Sequence, residues 1–229
     1  MIFYIIIFGF MLLGFIAQNR LKGKFKKYSK IGLQNGLTGR EIAEKMLAEH
    51  GIHDVKVLST PGRLTDHYNP KDKTVNLSED VYHSNSVAAA AVAAHECGHA
   101  VQHAEAYSWL QLRSAMVPIV SFSSRAIGII FMLMLFGAFT VSFFTFDTVI
   151  ITMIVLQGAI TLFTLITLPV EYDASNRALV WLKNSGTAGH SEHDKAKDAL
   201  NAAANTYLVA ALASLTQLAW YVLMLLGND

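Results

Sequence analysis

The residues best able to do chemistry lie in the stretch from Val87 to Gln102, where His95, Glu96 and His99 form a His-Glu-x-x-His run. The eight residues before His95 are all Ala or Val, and Ala is the strongest helix former. Residues four apart share a helix face. His95 and His99 therefore present two imidazole nitrogens to one Zn²⁺, a metal that takes nitrogen ligands readily. Glu96 follows about 100° further round the helix, placed to accept a proton rather than to bind metal. The ion brings the pKa of a bound water toward ~7, and with Glu96 as base this is machinery for hydrolysing peptide bonds. The bland alternative is a surface helix that carries two histidines by accident. An Ala-rich run with so little charge argues against it, because it suits a helix packed tightly among others.

The other ligand candidates divide by spacing. His103 lies two turns beyond His95, about 12 Å along one helix, so one ion cannot hold both. A metzincin site would place Gly at 102 and His at 105, and this chain has Gln102 and Glu105. His67 and His83 have no ligand spacing and read as structural. The single cysteine, Cys97, excludes an internal disulfide and any multi-cysteine zinc site. It points off the two-histidine face and reads as a small packing residue. The third ligand must come from elsewhere in the chain.

Which elements bring it there follows from the distribution of charge. The 229 residues carry 18 basic and 17 acidic side chains and are 53% apolar, with the charges unevenly spread. That near-neutral balance gives no reason to invoke nucleic acid. Residues 2–17 are apolar throughout, and Arg20, Lys22, Lys24, Lys26, Lys27 and Lys30 follow them. A secretory signal would reverse that order, so residues 1–19 read as a transmembrane anchor with its basic end in the cytoplasm. Residues 126–146 and 148–170 are two uncharged runs separated by Asp147, and residues 206–226 are another. The expected hairpin occupies residues 114–170, with a tight outer turn near Asp147, and 206–229 form the fourth span. With the N-terminus outside, all 18 Lys and Arg fall on the cytoplasmic side or at its boundary.

Residues 20–113 read as a cytoplasmic domain. Thr38-x-x-Glu41 is a capping box, with Leu37 and Ile42 at the staple positions, and the helix it opens ends near His50 before Gly51. Val55–Leu58, Leu64–Tyr68 and Thr74–Leu77 read as strands, the last two joined by a turn at Asn69–Lys73. An exposed edge strand there would either hold an extended substrate by its main chain or simply support the site.

Two spans separate His99 from residue 171, which returns the chain to the same side. Glu171 is the first ionisable group after the third span, in the cytoplasmic segment 171–205. On a helix it shares a face with Ala174, Ser175 and Ala178, small residues that permit close packing on the Ala-rich helix. Glu171 is thus the expected third ligand and Asp173 the runner-up. Arg177 is the first choice for stabilising the oxyanion formed on the scissile carbonyl, with His190, His193 and Tyr207 as alternatives. The polar loop 184–194 is a lid or a connector.

Four segments together carry a family resemblance. His95-Glu-Cys-Gly-His99-Ala-Val-Gln102, Leu64-Thr-Asp-His-Tyr68-Asn-Pro70, Glu171-Tyr-Asp-Ala-Ser-Asn-Arg177-Ala and Ala199-Leu-Asn-Ala-Ala-Ala204 resemble the YugP-type neutral zinc metallopeptidases of bacterial membranes. The resemblance covers nearly the whole chain. It implies a gluzincin-type membrane peptidase with one Zn²⁺ per chain on His95, His99 and Glu171, and Glu96 as general base. More distantly the chain is similar to the HtpX and Ste24 proteases, whose third-ligand motif is Glu-x-x-Ala-Asp. Here Ser175 stands at that Asp, so support of a ligand histidine falls to Ser175, Asp173 or Asn176.

The expectation is therefore a mainly α membrane protein with four transmembrane helices and a cytoplasmic α+β zinc-peptidase domain holding a small β-sheet. Its function is hydrolysis of peptide or protein substrates, including membrane-tethered ones, at the cytoplasmic face of the cell membrane, in membrane-protein quality control. The competing reading is a metal-bound, non-proteolytic membrane scaffold. Retention of Glu96 favours the enzyme, since a scaffold has no use for a base beside the metal.

Overall fold

The computed structural model describes residues 2–136 and 145–227. Seven helices and three strands follow one another as α1 (Ile2–Tyr28), α2 (Gly39–Glu49), β1 (Lys56–Thr60), β2 (His67–Asn69), β3 (Thr74–Ser78), α3 (Glu79–Tyr82), α4 (Val87–Ala104), α5 (Ser108–Leu135), α6 (Phe146–Asn184) and α7 (His190–Leu226). Among them α1, α5, α6 and α7 are long and apolar enough to cross a membrane. The protein is thus mainly α, with four membrane-length helices and a small mixed sheet.

Local chemistry sets the boundaries of the small elements. Thr38 caps α2: its hydroxyl accepts from the Glu41 N–H, and the Glu41 carboxylate accepts from the Thr38 N–H in return. Gly51 then takes a positive φ of 70° just past the helix end, a conformation that glycine adopts without steric cost. Ser86 caps α4 through a bond from the Ala89 N–H, 3.2 Å long. The sheet has the order β1-β3-β2, with β1 parallel and β2 antiparallel to β3. The strands begin later than the sequence suggests, β1 at Lys56 and β2 at His67.

The core lies between that sheet and α2, α4, α6 and α7. Val75 and Leu77 of β3, Ile42 and Met46 of α2, the alanines of α4 and Leu182 of α6 are all buried together. The Ala-rich run is therefore central: almost every residue of α4 from Val87 to Gln102 is buried, His95 being the intermediate one. On the far side α1 packs along α7, where Lys24 (2.5 Å) and the Tyr28 hydroxyl both bond the Asp198 carboxylate.

The membrane-length helices depart from the sequence reading in one respect. Asp147 is not in a turn: α5 ends at Leu135, and Phe146 and Asp147 already belong to the first turn of α6 under a Thr145 cap. Residues 137–144, where the rest of the expected turn falls, lie outside the described residues. Thr145 explains the shift, since its hydroxyl accepts from the Thr148 N–H and opens a helix there. The third apolar run continues without interruption through Glu171 to Asn184, despite Pro169.

Candidate metal centre

Helices α4 and α6 cross where neither has bulk. A Cβ on Gly98 would stand 2.6 Å from the Ala174 carbonyl oxygen, so only glycine lets α6 lie this close to the histidine turn. The face Glu171, Ala174, Ser175 and Ala178 is buried, all four residues included. That contact brings Glu171 to the histidines from 72 residues away in sequence.

The Glu171 Oε2 lies 3.3 Å from His95 Nε2 and 3.6 Å from His99 Nε2. Ligand atoms of the three side chains all lie within 4.8 Å of one another. Around tetrahedral zinc, with bonds near 2.0–2.1 Å, neighbouring ligand atoms stand about 3.3 Å apart, so the spacing suits the ion. One further feature points the same way. Oε2 is buried and has no hydrogen-bond partner among the described residues, although orphaned buried oxygens are costly. An ion bonded to Oε2 and both Nε2 atoms removes that cost.

The second nitrogens of the histidines are held. Gln102, wholly buried, uses its amide N–H groups on the Val170 carbonyl and the Asp173 carboxylate, both at 2.8 Å. Its amide oxygen, 3.0 Å from His99 Nδ1, must then accept. His99 therefore carries a proton on Nδ1, and its Nε2 faces Glu171. His95 Nδ1 lies 3.1 Å from the Ser175 hydroxyl. Ser175 and Asp173 thus divide the support that the sequence left open among three residues, while Asn176 is exposed. Burial pushes the His99 pKa down, but the Glu171 carboxylate beside it more than compensates and holds it above the ordinary histidine value.

Glu96 is buried on the neighbouring side of α4. One of its oxygens accepts the Tyr68 main-chain N–H at 3.0 Å, so β2 steadies the carboxylate. A cleft of about 280 Å³ opens over His95, His99, Glu171 and Glu96. Its walls include Asp66, His67 and Tyr68 from the β2 region, Leu110, Arg113 and Val117 from α5, and Tyr207 from α7.

The other sequence candidates are distributed as follows. Arg177 does not line the cleft. Its guanidinium is occupied by Asp173 at 2.5 Å and Glu105 at 2.6 Å, and these two carboxylates raise its pKa against the opposing effect of burial. Asp173 is engaged by Gln102 and Arg177, away from the ligand position. His190 pairs with Asp194 on the surface and His193 faces the Leu179 carbonyl, so neither reaches the cleft. His103 lies at the cleft wall, 2.9 Å from the Tyr68 hydroxyl. His67 is also at the wall, its Nδ1 2.8 Å from the Thr65 carbonyl. His83 ends α3 with its ring against Tyr82. Cys97 is fully buried, and burial pushes its thiol pKa up.

Sequence reasoning missed Arg113, whose Nη1 donates to Glu171 Oε1 at 3.1 Å, and the Tyr68 N–H that holds Glu96. Nothing in local spacing marks either; each depends on a tertiary approach. Gln102 stood in the motif, with only its spacing from His99, three residues, as a signal.

A family model described as "Putative neutral zinc metallopeptidase" matches residues 3–226. The "Putative membrane protease YugP" of Bacillus subtilis (strain 168) is 40% identical over 231 residues, covering 100% of this chain and 99% of that protein. No solved structure matches the chain.

Proposed function

The chain belongs to the neutral zinc metallopeptidase family, and from that premise we propose that it is a multi-pass membrane endopeptidase working at the cytoplasmic membrane face. The family's cofactor is zinc, and His95, His99 and Glu171 are the residues that would hold it. The observation that carries this reading is the buried Glu171 Oε2, without a hydrogen-bond partner among the described residues, facing the Nε2 atoms of His95 and His99. Bound there, zinc supplies Lewis-acid polarisation of the scissile carbonyl and makes a water acidic enough to attack it.

The protein's own groups do the rest. Glu96 takes the proton of the attacking water and passes it to the leaving amine, held in line by the Tyr68 N–H. An extended substrate lies along the edge strand β2, whose residues wall the cleft. Tyr207 lines the cleft beside Glu171 and donates to the developing oxyanion, the role the sequence suggested for Arg177. In this reading residues 20–113 and 171–205 form the cytoplasmic part, and the four helices fix it to the bilayer. Val117 stands in the apolar stretch between Arg113 and Arg125 of α5, and Tyr207 at the start of the uncharged run of α7. That placement favours membrane-tethered or misfolded membrane-protein substrates, and hence quality control.

The test uses purified full-length protein in detergent with casein-like and misfolded membrane-protein substrates. Glu96→Gln keeps shape and ligands but cannot accept the proton. It is expected to retain about one zinc per chain and lose roughly 10²–10⁴-fold in turnover, while His95→Ala loses both metal and activity. If wild type and Glu96→Gln cleave equally, or a chelator leaves wild type unaffected, the peptidase reading fails and a metal-bound scaffold takes its place.

A further inference from the structure

The two oxygens of Glu171 have different surroundings. Oε2 has no hydrogen-bond partner among the described residues and faces the Nε2 atoms of His95 and His99. Oε1 accepts from Arg113 Nη1 at 3.1 Å. Arg113 comes from α5, a helix that contributes none of the ligands and packs chiefly along α6. Its side chain is only partly exposed, and it lines the same cleft as the ligands.

A guanidinium in that position calls for a reason. A cation this close to a ligand carboxylate repels a dication where water is scarce, a cost that its orienting of the carboxylate must outweigh if the contact is to favour binding. If the ion pair served only to join α5 to α6, any exposed carboxylate on α6 would do, without that conflict. What the contact does accomplish is to assign each oxygen one task. A free carboxylate can meet a divalent cation through both oxygens. With Oε1 held by Arg113, Oε2 alone is left for the ion, and the position that Oε1 would take stays open for water and substrate. Catalytic zinc sites characteristically keep such a position open.

We propose that Arg113 is a positioning residue that fixes Glu171 as a one-oxygen zinc ligand. The proposal rests on the reading of Glu171 as a ligand. Its effect passes through Glu171, so the change appears first in the metal and only then in turnover. Outer groups that orient ligands typically govern 10–100-fold in metal affinity.

Three full-length variants in detergent test it: Arg113→Gln, Arg113→Lys and Glu171→Gln, with circular dichroism confirming that each is folded. Zinc Kd is read by competition with a chelating dye. The coordination number is read from the visible spectrum after replacing zinc with Co²⁺. Arg113→Gln is expected to weaken zinc binding about 10–100-fold. It should also lower the intensity of the cobalt bands, as the second oxygen enters and four-coordination gives way to five. At saturating zinc, kcat should fall more than KM rises, because the lost open position serves the attacking water. Arg113→Lys keeps a cation that can reach one oxygen, and is expected to restore part of both the affinity and the band intensity. A structural ion pair would change thermal stability and leave the cobalt spectrum as in wild type. An unchanged spectrum and Kd in Arg113→Gln, with Glu171→Gln strongly impaired, overturns the proposal and leaves Glu171 as ligand. If Glu171→Gln itself binds zinc normally, the ligand set fails first and the role of Arg113 fails with it.

Discussion

His99 is aimed by a chain of polar contacts that ends at the surface. Its Nδ1–H meets Gln102, Gln102 meets Asp173, and Asp173 is paired with Arg177, which reaches on to Glu105. Each step fixes the next, so a defect far along should matter less than one beside the ring. Gln102→Ala removes the amide oxygen that accepts from His99 Nδ1, and it leaves a cavity in a fully buried place. Its zinc affinity is expected to drop about 10–100-fold, measured by chelator competition. Arg177→Gln discriminates between two roles. A group that stabilised the oxyanion would, when lost, reduce kcat by about 10²–10³-fold with the zinc site full. A partner of Asp173 outside the cleft should leave kcat at saturating zinc within a few-fold of wild type. Its loss should instead appear in thermal stability and zinc affinity. The second pattern is expected, and single-turnover assays at measured zinc occupancy would reveal the first.

The elements can be no looser than the site requires, and beside the histidines the close approach is the crossing of α4 over α6. With a Cβ at Gly98 falling 2.6 Å from a main-chain oxygen, even alanine must push the two helices apart. Backbone, unlike a side chain, cannot swing away. Gly98→Ala is expected to cost about 1–3 kcal/mol in stability, the usual range for overpacking. It should also weaken zinc binding, because the same displacement withdraws Glu171 from the histidines. Gly158→Ala in α6, where a Cβ would meet nothing within 4 Å, is the control and should change neither. Thermal melts with and without zinc would read both effects. Much at this scale was legible in the sequence because it is local. The Thr38–Glu41 box, the Ala-rich helix and the small-residue face after Glu171 are patterns of neighbours. Glu171 itself could be found because topology left few ionisable groups on the right side of the membrane. The strand order and the partners of Glu171 Oε1 and of Glu96 could not be read, since they arise where distant segments meet. Arg177 illustrates the difference. Its chemistry suited an oxyanion, but Asp173 stands four residues before it on the same helix, and that local pair occupies its guanidinium.

At the scale of the whole molecule, one orientation in the bilayer has to satisfy charge, length and the metal ligands together. The basic end of α1 is tied to Asp198 near the start of α7 by Lys24 and Tyr28, so these two polar regions share a side. Glu171 and its histidines stand beside them. Below, Gln157 and Thr161 of α6 bond Ser214 of α7 between buried faces, at a depth of about 15–20 Å from Glu171 at 1.5 Å per residue. Side-chain hydrogen bonds of this kind hold spans together where no water competes. Of the 18 Lys and Arg, none falls between residues 126 and 176 or between 198 and 229, so the far ends of α5, α6 and α7 carry no Lys or Arg. The positive-inside rule then predicts that the N-terminus and the far end of α7 are outside the cytoplasm. A reporter fused after Asp229 is expected to be extracytoplasmic, and one inserted at Gly186, between α6 and α7, cytoplasmic. Paired alkaline phosphatase and fluorescent-protein fusions, active only outside and only inside respectively, would read the two sites. If both reporters prove to be on one side, α7 does not cross the membrane. If both are reversed, the site faces outward, and cytoplasmic substrates are excluded even though the ligand geometry is unchanged.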